Sequence, residues 1–174
     1  MYIGHVGAAL AAKRVRASVG LLPLLIATYA PDWVDTGMCV VGAYDPRSML
    51  SHSVPAVLFL ALGGFTWYAL VTRDWAGALI IAAVIISHMF LDWITGYKPT
   101  WPGGPVIGFG LYDHPIADFL AEGATIFAGV MIYRRTLPHR LRPWRDAAIM
   151  IGALLILQLG IDVGHFLFET LPKC

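Results

Sequence analysis

The sequence predicts an all-α integral membrane helical bundle, and three observations carry that prediction. Hydrophobic residues make up 58% of the 174, charged residues only 13%, and the mean hydropathy is +0.70. Apolar stretches of roughly 20 residues, the length that crosses a hydrocarbon core, recur along the chain. When these stretches alternate across a bilayer, nine of the twelve Lys and Arg residues fall on one side, as preferential retention of basic residues in the cytoplasm requires. Residues 1–174 read as a single membrane-embedded domain, so any chemistry must be built from helices and short loops. No basic stretch resembles a nucleic-acid surface, and membrane lipids are the expected partners.

The elements follow in order. A short helix is expected over about residues 1–13. Met1 to Ala12 has its charges, Lys13, Arg14 and Arg16, behind it and not ahead of it, so it does not read as a cleaved signal peptide. An apolar segment over about 17–31 closes at Pro31-Asp32. Both are short for a span and predict a partly inserted hairpin supported by other helices. Ser53–Thr72, Trp75–Thr95, Pro115–Tyr133 and Ala147–Phe168 complete about five membrane segments beside the short N-terminal helix. Pro23 and Pro55 interrupt backbone pairing in their helices, which a membrane bundle tolerates.

Lys13, Arg14, Arg16, Arg73 and the arginines of the 134–145 loop define the cytoplasmic side. Arg47, Lys98 and Lys173 lie opposite, which places the 32–51 and 97–114 loops outside. The segment from Tyr97 to Asp113, rich in Gly, Pro and aromatic residues, is either a lid over the outer ends of the helices or a plain connector. Cys39 and Cys174 are too few for a disulfide framework, and a single bridge stays open.

The topology set by Lys and Arg gathers the other ionisable residues at the outer face. His5, Asp32, Asp35, His52, His88, Asp92, His114, Asp118, Glu122, Asp162 and His165 all fall near outward ends. Ionisable groups in a bilayer are costly unless they pair, meet water or bind a metal. His88 and Asp92 are four apart and share a helix face, and His114, Asp118 and Glu122 repeat that step twice. Imidazole and carboxylate donors without thiolate suit Zn²⁺, with Mn²⁺ or Fe²⁺ as alternatives. Two such helices facing one another could hold two ions and activate water against a phosphoryl group.

Gly4-His5 with Gly7, Pro31-Asp32-x-x-Asp35, Ser51-His52-Ser53, Ser87-His88-x-x-x-Asp92 and the later acidic helix together resemble the prokaryotic inner-membrane metal-dependent hydrolase family, over most of the chain. Their order is in turn similar to the zinc-dependent phospholipase C and single-strand nuclease superfamily. That resemblance implies an all-helical hydrolase with two or three zinc ions. One would be held by Asp32 or Asp35, His52, His88 and Asp92. A second would use Asp118 and Glu122 with His114, and a third would lie near His5 and share Asp92. Asp32 or Asp35 would position the attacking water, and Asp162 and His165 are additional candidates. The substrate class implied is a phosphate ester, with a phospholipid or other lipid phosphate favoured by the site's place at the headgroups.

Two other classes use the same residues differently. A small proton- or ion-coupled transporter would spread them through the full membrane depth. A non-catalytic scaffold would keep them as structural pairs. The Asp118–Glu122 pair has the alternative reading of a proton-sharing acidic pair.

Overall fold

The computed structural model describes residues 1–43 and 49–167, apart from the side chains of His165 and Phe166. Its α-helices are α1 (Gly4–Val15), α2 (Leu21–Thr28), α3 (Ala30–Val40), α4 (Val54–Thr72), α5 (Trp75–Thr95), α6 (Pro115–Arg134) and α7 (Trp144–Leu167). Four of them, α4 to α7, are long and apolar enough to cross a membrane. The expected short fifth segment is only partly helical. Its apolar run forms α2, whose eight residues reach only about 12 Å against a core of about 30 Å.

Prolines explain where the helices depart from expectation. Pro31 does not end a segment; it occupies the first turn of α3, where its missing N–H has no helical partner to lose. Asp32 and Asp35 therefore stand on one helical stretch and not in a loop. Pro55 likewise opens α4, and Pro23 lies within the first three residues of α2, so neither breaks a hydrogen-bond ladder.

The spans pack in sequence, α4 on α5 and α6 on α7, and the short helices complete the bundle, with α1 against α6 and α2 against α5. Ala9, Leu24, Val57, Ile81, Val84 and Ile85 form one buried apolar cluster. Leu10, Ile126, Val130 and Ala147 form a second. Phe59, Leu70, Ile116 and Ile156 are among the large apolar side chains turned outward, the arrangement a lipid solvent favours. The α1–α6 crossing is closed by glycine. A Cβ on Gly7 would lie 2.3 Å from the Thr125 carbonyl oxygen, and one on Gly129 would lie 2.2 Å from that of Gly7. Small residues permit such backbone approach within a membrane.

Each end of the bundle has its own devices. At one end Asp74 caps α5 by accepting from Gly77 N–H at 2.9 Å and pairs with Arg16 at 2.9 Å. The turn from α6 to α7 is tied by Arg134, whose guanidinium donates to the Arg142 carbonyl at 2.6 Å and stacks 4.1 Å over Trp144. At the other end a two-stranded antiparallel hairpin pairs β1 (Lys98–Pro99) with β2 (Val106–Ile107). The hairpin is docked: Phe109 N–H donates to the Trp93 carbonyl at 2.7 Å, and Val54 N–H donates to that of Thr100 at 3.0 Å. Gly108 (φ 145°) allows a Cα to pass the Gly96 carbonyl where a Cβ would stand at 1.9 Å.

Candidate metal centre

Four short stretches of chain converge under the hairpin. Asp32 and Asp35 lie on α3, and His52 closes a 3-10 turn (Leu50–His52) just before α4. His88 and Asp92 lie on the last turns of α5, and His5 lies near the start of α1. His5, His52, His88 and Asp92 are buried. The side chain of Asp32 retains 42% of its exposure and so borders solvent.

The hydrogen bonds behind the two imidazoles fix what each presents in front. His88 Nδ1 lies 2.7 Å from the Thr28 carbonyl oxygen, which can only accept, so Nδ1 carries the proton. His52 Nδ1 lies 3.2 Å from Asp35 Oδ2 and 2.8 Å from Ser51 Oγ, and the Ser51 hydroxyl itself donates to Asp35. Each neutral ring therefore turns an unprotonated Nε2 inward. Such carboxylate or carbonyl support from behind is the usual way a metal-binding histidine is oriented.

In front, four atoms meet. His52 Nε2 is 3.2 Å from His88 Nε2, 3.2 Å from Asp32 Oδ1 and 3.3 Å from Asp92 Oδ2. His88 Nε2 is 3.4 Å from Asp92 Oδ2 and 3.7 Å from Asp32 Oδ1. A tetrahedron with bonds of about 2.0–2.1 Å has edges of about 3.3–3.4 Å, and these five separations, from 3.2 to 3.7 Å, are close to that spacing. In their neutral forms the two imidazoles would offer Nε2 lone pairs to a cation alongside the carboxylate oxygens of Asp32 and Asp92. The donor set of two imidazoles and two carboxylates fits Zn²⁺ and the harder alternatives.

Asp92 faces two ways. Its Oδ2 belongs to the group just described, and its Oδ1 lies 2.8 Å from the Met1 nitrogen and 3.6 Å from His5 Nε2. The His5 ring centroid lies 3.9 Å from that of His88 with the rings tilted by 48°, and neither of its nitrogens has a hydrogen-bond partner among the described residues. Ligand atoms of His5, His88 and Asp92 lie within 4.8 Å of one another. A buried imidazole without partners is expensive, and a second cation beside Asp92 would remove that cost.

Outside the spans, two ionisation shifts follow from this geometry. Burial pushes the His52 imidazole down, but its contacts with Asp32 and Asp35 outweigh burial and hold it above its ordinary value. Burial pushes the Asp35 carboxyl up, yet hydrogen bonds from His52 and Ser51 hold it below the usual carboxylate range.

The acidic helix is used differently from expectation. Glu122 accepts from Tyr2 N–H at 2.7 Å and from Gly4 N–H at 2.8 Å, and Gln158 accepts from Ile3 N–H at 3.0 Å. These three donors belong to the start of α1, where N–H groups have no intrahelical partner. Both oxygens of Glu122 thus serve as a cap for a buried helix terminus, whose positive end favours a carboxylate. Gln158 in turn donates to Asp162 at 2.7 Å. Asp118 is buried beside this socket, and its Oδ1 has no hydrogen-bond partner among the described residues.

His114 does not continue the stripe of Asp118 and Glu122. It is exposed and stands at the residue before α6 with φ −131° and ψ 78°, its side chain making no capping hydrogen bond, because the helix begins only at Pro115. The four-residue step places side chains on one face only when both residues are helical. The side chain of His165 and a bridge involving Cys174 lie outside the described residues.

Lys98 was not anticipated. It reaches from the hairpin to within 3.1 Å of Asp92 Oδ2, with 16% of its side chain exposed. Comparison with protein-family models, with curated proteins and with solved structures found no match.

Proposed function

We propose that this chain is a metal-dependent hydrolase of the prokaryotic cytoplasmic membrane that cleaves a phosphate ester, with a lipid phosphate at the outer leaflet as its substrate. The observation that supports this reading is the grouping of ligand atoms from Asp32, His52 and His88 within 4.8 Å of one another, with Asp92 Oδ2 lying 3.3 Å and 3.4 Å from the two imidazole Nε2 atoms. These residues would hold the first ion, and His5 with the second oxygen of Asp92 would contribute to another.

A bound divalent cation supplies Lewis acidity and lowers the pKa of water. The chain supplies the rest. The Thr28 carbonyl and Asp35 lock the two rings so that the ligand atoms need not reorganise, which is the preorganisation that electrostatic catalysis requires. Asp32, bordering solvent, would orient a water molecule and take its proton. The water oxygen bonds to phosphorus, the ester P–O bond breaks, and the departing alcohol leaves with a proton. A site at the span ends, ringed by exposed apolar surface, meets lipid headgroups at high local concentration.

A transporter would need polar groups at all depths. Among the described residues the buried polar side chains gather at the hairpin end, while the buried positions toward the other end include Ala61, Tyr68, Ala78, Ile81 and Val130. The experiment is metal analysis of detergent-purified protein together with phosphodiester turnover. Stoichiometric zinc in the wild type, and loss of both zinc and turnover in His88→Ala with helical content kept, is the expected result. Zinc absent from the wild type, or unchanged in His88→Ala, ends the hydrolase reading.

A further inference from the structure

We propose that Lys98 forms an oxyanion-binding position beside the metal centre and contacts the phosphate group of substrate and product. The inference rests on the hydrolase reading above and adds to it a residue on a different element.

Three observations carry it. First, Lys98 stands against the charge topology, since nine of the twelve basic residues lie on the opposite side. It is also no freely moving surface lysine, because only 16% of its side chain is exposed. Second, its position is fixed. Lys98 pairs with Ile107 in the hairpin, and the hairpin is bonded to Val54 at the start of α4, two residues after His52, and to Trp93 of α5, next to Asp92. The ammonium is thereby held over the centre at little entropic cost when a ligand arrives.

Third, its carboxylate partner has other claims on it. Asp92 Oδ2, 3.1 Å from Lys98 Nζ, is also 3.3 Å from His52 Nε2 and 3.4 Å from His88 Nε2. A cation held among those three atoms would draw on the same oxygen that now neutralises Lys98. The ammonium would then need another anion, and Asp32 marks the solvent-facing edge through which one can enter. A tetrahedral oxyanion meets that need through a charge-assisted hydrogen bond. The shared chemistry is a phosphate oxygen, whether on a lipid headgroup or free in solution.

The test uses full-length protein in detergent loaded with zinc, and reads binding of inorganic phosphate by calorimetry alongside zinc content. Lys98→Met should keep zinc and lose about 10-fold or more in phosphate affinity. Lys98→Arg, which keeps the charge, should restore part of that loss. Micellar phosphatidic acid is added as a competitor. Displacement of inorganic phosphate by the micelles assigns the oxyanion to a headgroup, and its failure assigns it to a soluble ester; both outcomes support the site when they depend on Lys98. Phosphate affinity unchanged in Lys98→Met overturns the proposal. Loss of zinc in that variant also overturns it, because Lys98 would then be a structural counter-ion of Asp92. A wild type that binds no zinc sinks the hydrolase reading itself, an outcome separate from either.

Discussion

Replacing Gly129 with alanine should disturb the candidate metal centre through the α1–α6 contact. The new methyl would stand 2.2 Å from the Gly7 carbonyl oxygen and 2.4 Å from its Cα. These atoms are backbone and cannot rotate aside. Reaching ordinary contact at 3.4 Å requires α1 to retreat by about 1.2 Å, or the helices to bend by as much, and overpacking of this kind costs about 1–3 kcal/mol. The displacement is transmitted, because α1 carries His5 two residues before Gly7 and its first N–H groups are bonded to Glu122 and Gln158. A shift of about 1 Å in a reacting constellation can lower turnover by about 100-fold. Thermal unfolding in detergent and phosphodiester turnover of Gly129→Ala, beside Gly152→Ala as a control with nothing within 4 Å of its Cβ, check the reasoning. A Gly129 variant that melts with the wild type would show that the crossing is looser than described.

Two further outcomes are expected. Glu122→Ala should destabilise the fold by about 3–6 kcal/mol, since it removes two charge-assisted hydrogen bonds worth about 1.5–3 kcal/mol each; zinc bound by His52 and His88 should persist, and a drop in zinc without loss of stability would instead mark Glu122 as a ligand. The metal-stripped protein should be most stable in mildly acidic solution. The raised imidazole of His52 stabilises the fold fully below the ordinary value of about 6.5, and that contribution disappears as pH rises through its folded value. The depressed carboxyl of Asp35 acts in the opposite sense, stabilising above about 3.9 and failing as pH falls through its folded value. Asp35→Asn removes part of both, so melting temperature against pH should flatten at each edge, and an unaltered profile would contradict the pairing.

Hydropathy and spacing made part of this structure legible. Trp75–Thr95 is both the expected and the observed extent of α5, because Asp74 and Gly96 bound it with a cap and a breaker. His88 and Asp92 share a face for the reason their spacing implies. The α3 helix was hidden because proline punctuates a sequence identically whether it stops one helix or starts another. The role of Glu122 was hidden because its partners are backbone N–H groups, which no side-chain pattern announces. Lys98 escaped notice for a third reason: it lies in a Gly- and Pro-rich loop, and only the hairpin register brings it to Asp92. The separation of Asp32 from Asp35 also needed coordinates, since one faces the ligand group and the other stands behind a ring.

The seating of α1 has a consequence for biogenesis. Its twelve residues are too few to hold a place in hydrocarbon alone, and its terminus is welcome there only because Glu122 and Gln158 meet it. Both receptors are synthesised more than a hundred residues later. The seat of α1 is therefore complete only once α6 and α7 have been made. Nascent chains arrested before residue 115 should leave His5 open to aqueous labelling, whereas completed chains should shield it.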